Sequence, residues 1–211
     1  MIIDEYKTIF IHIPKNAGLS IKEFFGKKRY LTSPEDYMQA GLFPQHDMVC
    51  TIKSKFPELY NSYNKFAVVR NPYERMVSWY FFLKKSSLKN VIPFKEWLKE
   101  PYKFWHFDKE KVFMKFDGPA PIMRFRSLTN KILDPQINWV DETGVILKFE
   151  NLKEDLNTFF KEEIDLPWVN KSSHDHYLKY YDQESLDIVY DRYKEDFEKF
   201  NFKKEKITNN N

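Results

Sequence analysis

The stretch that decides the fold is Thr8-Ile-Phe-Ile-His-Ile-Pro-Lys-Asn-Ala-Gly-Leu-Ser-Ile-Lys-Glu-Phe-Phe-Gly26. Its first six residues are β-branched or aromatic, and nearly continuous instead of alternating, which predicts a short buried strand. Pro14 ends that strand, because it has no amide hydrogen to give to a ladder. Ile21, Phe24 and Phe25 fall at i, i+3 and i+4, one face of a helix, and Gly26 is a natural stop. Strand, tight loop and helix are thus compressed into residues 8–26.

The pattern recurs downstream. Lys65-Phe-Ala-Val-Val69 predicts a second buried strand, and Arg70 and Asn71 stand at its end. Pro72 opens a helix to about Lys85, with Met76, Val77, Tyr80 and Phe81 as its apolar stripe; Asn is a good N-cap and Pro a good first residue. Between the two units, His46 to Phe56 reads as helical. Val145 to Phe149 is a third strand. Asn151 then caps a helix to about Glu162, with Leu152, Leu156, Phe159 and Phe160 inward. Gln183 to Phe200 reads as one amphipathic helix, whose inward set is Leu186, Val189 or Tyr190, Tyr193 and Phe197. Residues 87–140 are cut into short pieces by Pro93, Pro101, Pro119, Pro121 and Pro135. Strands alternating with helices predict an α/β domain: a P-loop-like, three-layer arrangement with a central, mostly parallel sheet flanked by helices. One domain is expected over 1–202, with 203–211 a frayed tail. Ligands of such sheets bind beyond the carboxyl ends of the strands, where Lys15 and Arg70 fall.

Composition narrows the function. The chain has 211 residues, 42% hydrophobic and 18% aromatic, so it can build a core and is not disordered. With 34 basic and 31 acidic residues the net charge is +3, too balanced for a general nucleic-acid coat. Cys50 is the one cysteine, so no internal disulfide can form and a reducing compartment is expected. Neither a signal sequence nor a membrane span is read, which makes the expectation cytoplasmic with no membrane partner. The chain has five glycines and six arginines, so each placement is informative.

Pro14-Lys-Asn-Ala-Gly-Leu-Ser20 joins a buried strand to a helix N-terminus. Such a loop offers unpaired backbone N–H groups and the positive end of a dipole, an anion site. Gly18 would let the backbone approach an oxyanion, Lys15 adds a full charge and Ser20 a hydroxyl. The logic is that of a phosphate-binding loop, but Lys precedes Gly and no Gly-Lys-Ser/Thr is present. By itself the segment reads equally as a capped turn with a surface lysine. In Arg70-Asn-Pro-Tyr-Glu-Arg-Met-Val-Ser78, Asn71, Arg75 and Ser78 share a helix face, and arginine's planar fork suits phosphate. The plain reading is that Arg75 pairs with Glu74 or a nearby carboxylate and Arg70 caps the sheet edge. The histidines are scattered and the cysteine is alone, so no metal site is expected.

Together the two segments resemble a known family. Ile11-His-Ile-Pro-Lys-Asn-Ala-Gly-Leu-Ser-Ile21 is similar to the 5′-phosphosulfate loop of sulfotransferases, and Phe66-Ala-Val-Val-Arg-Asn-Pro-Tyr-Glu-Arg-Met-Val-Ser-Trp-Tyr80 to their 3′-phosphate motif. Both resemble the branch related to heparan- and chondroitin-type carbohydrate sulfotransferases, and the likeness continues in Phe149-Glu-Asn-Leu and the late Asn170-Lys-Ser-Ser-His174. Leu19 and Asn16 depart from it, standing where the family commonly has Thr. The resemblance implies a co-substrate, 3′-phosphoadenosine 5′-phosphosulfate (PAPS), with 3′-phosphoadenosine 5′-phosphate (PAP) as product, and no metal. It implies Lys15 on the oxygen bridging sulfur and phosphorus. Asn16, Ala17, Gly18, Leu19 and Ser20 would surround the 5′-phosphate, Arg70 and Ser78 would hold the 3′-phosphate, and Lys171 and Ser172 would close over the nucleotide. An acceptor hydroxyl, expected on a carbohydrate, would attack sulfur in line. His46 is the leading general base, with a surface residue at a helix start as its plain reading and carboxylates as alternatives; His12 reads as core or as a residue behind the site, His106 as an acceptor contact, and His174 and His176 lie in the late loop without an assigned role. The 87–135 segment would bind acceptor, through aromatics such as Trp97, Phe104 and Trp105, with Trp139, and charges at Arg124 and Arg126. Two other classes remain open at this point: a P-loop-like nucleotide kinase, and a non-catalytic nucleotide-binding protein.

Overall fold

The structure is a computed structural model, and it describes residues 1–26, 46–86, 92–101, 133–167, 169 and 174–207. Along the chain its elements are β1 (Ile2–Ile3), β2 (Thr8–Ile11), α1 (Gly18–Phe24), α2 (Val49–Lys55), α3 (Pro57–Ser62) and β3 (Asn64–Val69). They continue with α4 (Pro72–Ser86), α5 (Phe94–Lys99), β4 (Val145–Lys148), α6 (Leu152–Phe160), α7 (Gln183–Arg192) and α8 (Lys194–Lys199). The molecule is mixed α/β, and its chain divides into two compact units.

The first unit holds residues 1–70 and 131–171. Its centre is a four-stranded sheet in the order β1-β2-β3-β4. β2 pairs β3 in parallel with Ile11 opposite Ala67, and β3 pairs β4 in parallel with Val69 opposite Lys148. β1 is an antiparallel edge; at two residues it is too short for a periodicity to reveal. Because β2, β3 and β4 run the same way, the segments after Ile11, Val69 and Lys148 leave from one edge of the sheet. Every residue of β2 is buried, as expected for a strand covered on both faces. Phe10, Phe66, Val68 and Leu147 pack with Ile21 of α1, Phe25, Leu152 and Leu156 of α6, and Ile164 in one core. The rings of Tyr6, Phe25, Phe66, Phe159 and Phe160 pack there in edge-to-face and tilted pairs.

The second unit holds residues 71–130 and 172–211. Asn71 caps α4, accepting from the Tyr73 amide at 2.9 Å, with Pro72 as first residue. Tyr73, Met76, Val77, Tyr80 and Leu83 of α4 are buried, as are Trp97, Leu98, Leu186, Val189 and Phe197. Tyr181 donates its hydroxyl to the Tyr73 carbonyl at 2.9 Å, and Arg192 donates to the Leu98 carbonyl at 2.6 Å.

Several boundaries differ from the sequence reading. α1 starts at Gly18, not Ile21, because Ala17 adopts a left-handed cap. The helix expected from His46 begins at Val49 and is broken at Phe56, where Pro57 starts another. Asn151 holds the N-cap position but its side chain makes no cap bond. The chain enters α6 through a 3₁₀ turn over Phe149–Asn151, and Asp155 accepts from the Lys148 amide at 2.8 Å. The single helix expected over 183–200 is two, parted at Tyr193.

Candidate active site

The loop that follows β2 is shaped by backbone handedness. Lys15 and Ala17 have φ of 70° and 59°, both left-handed, at non-glycine residues. Such conformations cost on the order of 1 kcal/mol each and are held by their surroundings. They lead straight into the first turn of α1, and alternation of this kind turns successive N–H groups into a concave, anion-accepting surface. Gly18 is not in the left-handed region. Its requirement is space: a β-carbon there would lie 1.7 Å from His12 Nε2 and 2.0 Å from His12 Cδ2. The imidazole of the β2 extension occupies the volume that any other side chain at position 18 would need.

Two buried amides tie the loop to the neighbouring strand. Asn16, 0% exposed, donates both hydrogens of Nδ2, to the Val68 carbonyl at 2.7 Å and to Gln136 Oε1 at 2.6 Å. Gln136 Oε1 also accepts from the Arg70 amide at 2.9 Å, and Gln136 Nε2 donates to the Arg70 carbonyl at 2.8 Å. Arg70 follows the last residue of β3. Its guanidinium lies over the Phe149 ring, 4.1 Å from the centroid, and donates to the Lys15 carbonyl at 3.4 Å. Burial first, and the Arg70 charge second, lower the Lys15 ammonium to a pKa of about 8. Two cations and a concave set of amides therefore converge at the carboxyl edge of β2 and β3.

His46 lies in the segment ahead of α2. Its Nδ1 is 2.9 Å from the His12 carbonyl, and its ring centroid is 4.3 Å from that of His12. A carbonyl can only accept, so Nδ1 carries the proton and Nε2 is the basic nitrogen. Burial lowers its pKa to about 4 despite the opposing hydrogen bond, and burial likewise holds His12 well below the ordinary histidine value. Both rings are neutral at pH 7. The ring of Trp139 stands edge-on to His46, with centroids 6.4 Å apart.

The first unit thus brings together Lys15, Asn16, Ala17, Gly18, Ser20, Arg70 and His46. Leu19 is 40% exposed. Ser20 is buried and its hydroxyl accepts from the Val169 amide at 3.2 Å. Lys171 and Ser172 lie outside the described residues, as do Phe104, Trp105, His106, Arg124 and Arg126. In the second unit, Ser78 is buried on α4, and Arg75 is fully buried with its guanidinium 5.9 Å from the Tyr193 centroid. His174 stacks on Phe81 at 5.2 Å. Trp97 and Trp139, each 1% exposed, are core residues and offer no face to a sugar. Gln136 was not visible as a site residue: it is 66 positions from Arg70 and 120 from Asn16, in no motif. Among the described residues no cluster of three or more His, Cys, Asp or Glu could hold a metal ion. Also among them, no helix is long and apolar enough to cross a membrane.

No curated protein matches the chain. Among solved structures, a sulfotransferase from Alicyclobacillus acidocaldarius is similar at 13% identity, over 93% of this chain and 87% of that one, with a TM-score of 0.35. The model of the sulfotransferase family matches residues 1–203, nearly the whole chain, and the chain therefore belongs to the sulfotransferase family.

Proposed function

We propose that the protein moves the sulfuryl group of PAPS to a hydroxyl of a carbohydrate acceptor by in-line displacement, on a P-loop-like, three-layer domain. The observation that carries this reading is the convergence of Lys15, the left-handed loop before α1 and Arg70 at one sheet edge. PAPS supplies a sulfuryl group on a phosphate leaving group. Lys15 sets its ammonium where negative charge grows on the bridging oxygen, and a partly desolvated cation is most effective there. The backbone of Asn16, Ala17, Gly18 and Leu19, with the Ser20 hydroxyl, holds the 5′-phosphate. Both Asn16 side-chain hydrogens are engaged inside the protein, so position 16 contributes through its N–H. Arg70, with Ser78, holds the 3′-phosphate, and Lys171 and Ser172 cover the nucleotide. His46 Nε2, neutral at pH 7, takes the acceptor proton. Residues 87–135 present the acceptor, and the single Cys50, exposed and unpaired as a thiol, suits a reducing cytoplasm.

The test is thermal shift with PAP against ATP plus Mg²⁺, followed by transfer from labelled PAPS across a panel of hydroxyl acceptors. Stabilisation by PAP alone is expected; stabilisation by Mg-ATP alone would mark a kinase, and PAP binding without PAPS consumption a binding protein. Lys15→Ala should abolish turnover. In the wild type, kcat/KM, which reports the free enzyme, should fall as pH rises through about 8, as Lys15 loses its proton. An alkaline limb that survives in Lys15→Arg at the same pH would remove Lys15 from this role.

A further inference from the structure

β3 ends at Val69, whose ladder partner is Lys148. Arg70 is the first residue beyond the sheet, and its peptide groups would ordinarily lose their partners there. Gln136 supplies them. Its side-chain amide meets both the N–H and the C=O of Arg70, at 2.9 and 2.8 Å, as a neighbouring strand would. The orientation is forced: turning the amide over would set oxygen against carbonyl and NH₂ against N–H. The same Oε1 accepts from Asn16 Nδ2, and Asn16 is fixed in turn by its second donation, to Val68. Gln136 and Asn16 are each 0% exposed, and Asn16 Oδ1 has no hydrogen-bond partner among the described residues. A buried amide pair with an acceptor left over is kept at a cost in stability, which calls for a reason beyond stability.

We propose that Gln136 is a positioning residue: by clamping the Arg70 peptide and, through Asn16, the Lys15 loop, it sets the register between the cation for the 3′-phosphate and the cradle for the 5′-phosphate. This rests on the nucleotide reading given under Proposed function. Gln136 touches no substrate. Its effect is exerted through where Arg70 can place its guanidinium, which has Phe149 on one side and the Lys15 carbonyl on the other.

The experiment compares affinities for PAP and for adenosine 5′-monophosphate (AMP), which lacks the 3′-phosphate, in wild type, Gln136→Leu and Gln136→Asn. The ratio of the two affinities isolates the 3′-phosphate interaction. Leu fills the volume without hydrogen bonds. Asn keeps the amide but is one methylene too short to reach Asn16 and both groups of Arg70, and it decides the matter if the Leu variant does not fold. Each change should lower the PAP/AMP ratio about tenfold or more. In an Arg70→Ala background the Gln136 changes should leave the ratio where Arg70→Ala puts it. A lowered melting temperature with an unchanged ratio would overturn the proposal, since a purely structural residue would behave so. A wild type with no preference for PAP over AMP would instead overturn the nucleotide reading, and this inference with it.

Discussion

Gly18 and His12 are six residues apart in sequence, yet each determines what the other may be. The imidazole sits where a β-carbon at 18 would go, 1.7 Å away, and that ring belongs to a buried strand extension that cannot swing into solvent. Gly18→Ala should therefore destabilise by about 1–3 kcal/mol or more through overpacking. His12→Ala should destabilise by opening a cavity beside Phe10, whose ring stacks on the imidazole at 5.4 Å. The double variant should be more stable than the sum of the two losses predicts, because the new methyl enters the space the imidazole leaves. Additive losses by urea denaturation would mean that the loop moves instead of the ring. This pairing also marks the limit of reading a site from sequence. Lys15, Gly18, Ser20 and Arg70 stand out as candidates because strand ends and helix starts announce themselves locally. The role of His12 as a wedge, and that of Gln136 as a clamp, depend on which strands become neighbours. No spacing rule carries that information across 66 or 120 residues.

Elements with a dense apolar period, β2, β3, β4 and α4, were found within a residue or a few of where the pattern puts them. Those missed are short, like β1, or lie in a proline-cut segment, like α5. The split of the last helix at Tyr193 was hidden for another reason. Leu186, Val189, Tyr193 and Phe197 keep a helical period through the break, since only Tyr193 leaves the helical region, at φ −117° and ψ 24°. Its buried hydroxyl donates to Met76 Sδ at 3.3 Å, a tertiary contact that fixes the kink. The start of α7 is a matter of local chemistry. Asp182 Oδ1 accepts from the Ser185 amide at 2.8 Å, and Ser185 Oγ accepts from the Asp182 amide at 2.8 Å, a reciprocal cap. Asp182 also pairs with Lys95 at 2.7 Å, and these bonds hold its carboxyl well below the usual carboxylate range. With Asp182 at 53% exposure the ion pair is screened and adds little. Asp182→Ala should cost about 1 kcal/mol, whereas Asp182→Asn, which keeps a capping oxygen and removes the charge, should retain most of the stability. Equal losses in the two variants, by chemical denaturation, would assign the stabilisation to the ion pair instead of the cap.

At the scale of the whole molecule, the net charge of +3 says little about stability, because the pH response is set by groups the fold has buried. His12 and His46 lie against each other with depressed pKa values, His46 at about 4. In the unfolded chain a histidine titrates near 6.5. Between about 6.5 and 4 the unfolded chain therefore holds a proton that folded His46 refuses. The sign follows from linkage: the stability due to neutral His46 is complete above about 6.5, falls as pH drops toward 4, and changes no further below that. His12 acts in the same direction. At pH 4.5 the loss from His46 alone should be on the order of 2 kcal/mol, two units of gap at about 1.4 kcal/mol each with some allowance for solvent. Carboxylates protonating over the same range also destabilise the fold, so the wild type alone cannot isolate this term. The His46→Gln variant can, since its amide does not titrate. Urea unfolding of both proteins at pH 7 and pH 4.5 should show the wild type losing more stability than His46→Gln. If the two fall in parallel, His46 charges as readily in the folded protein as in the unfolded chain, and the neutral base with a lowered pKa assigned to this site is not there.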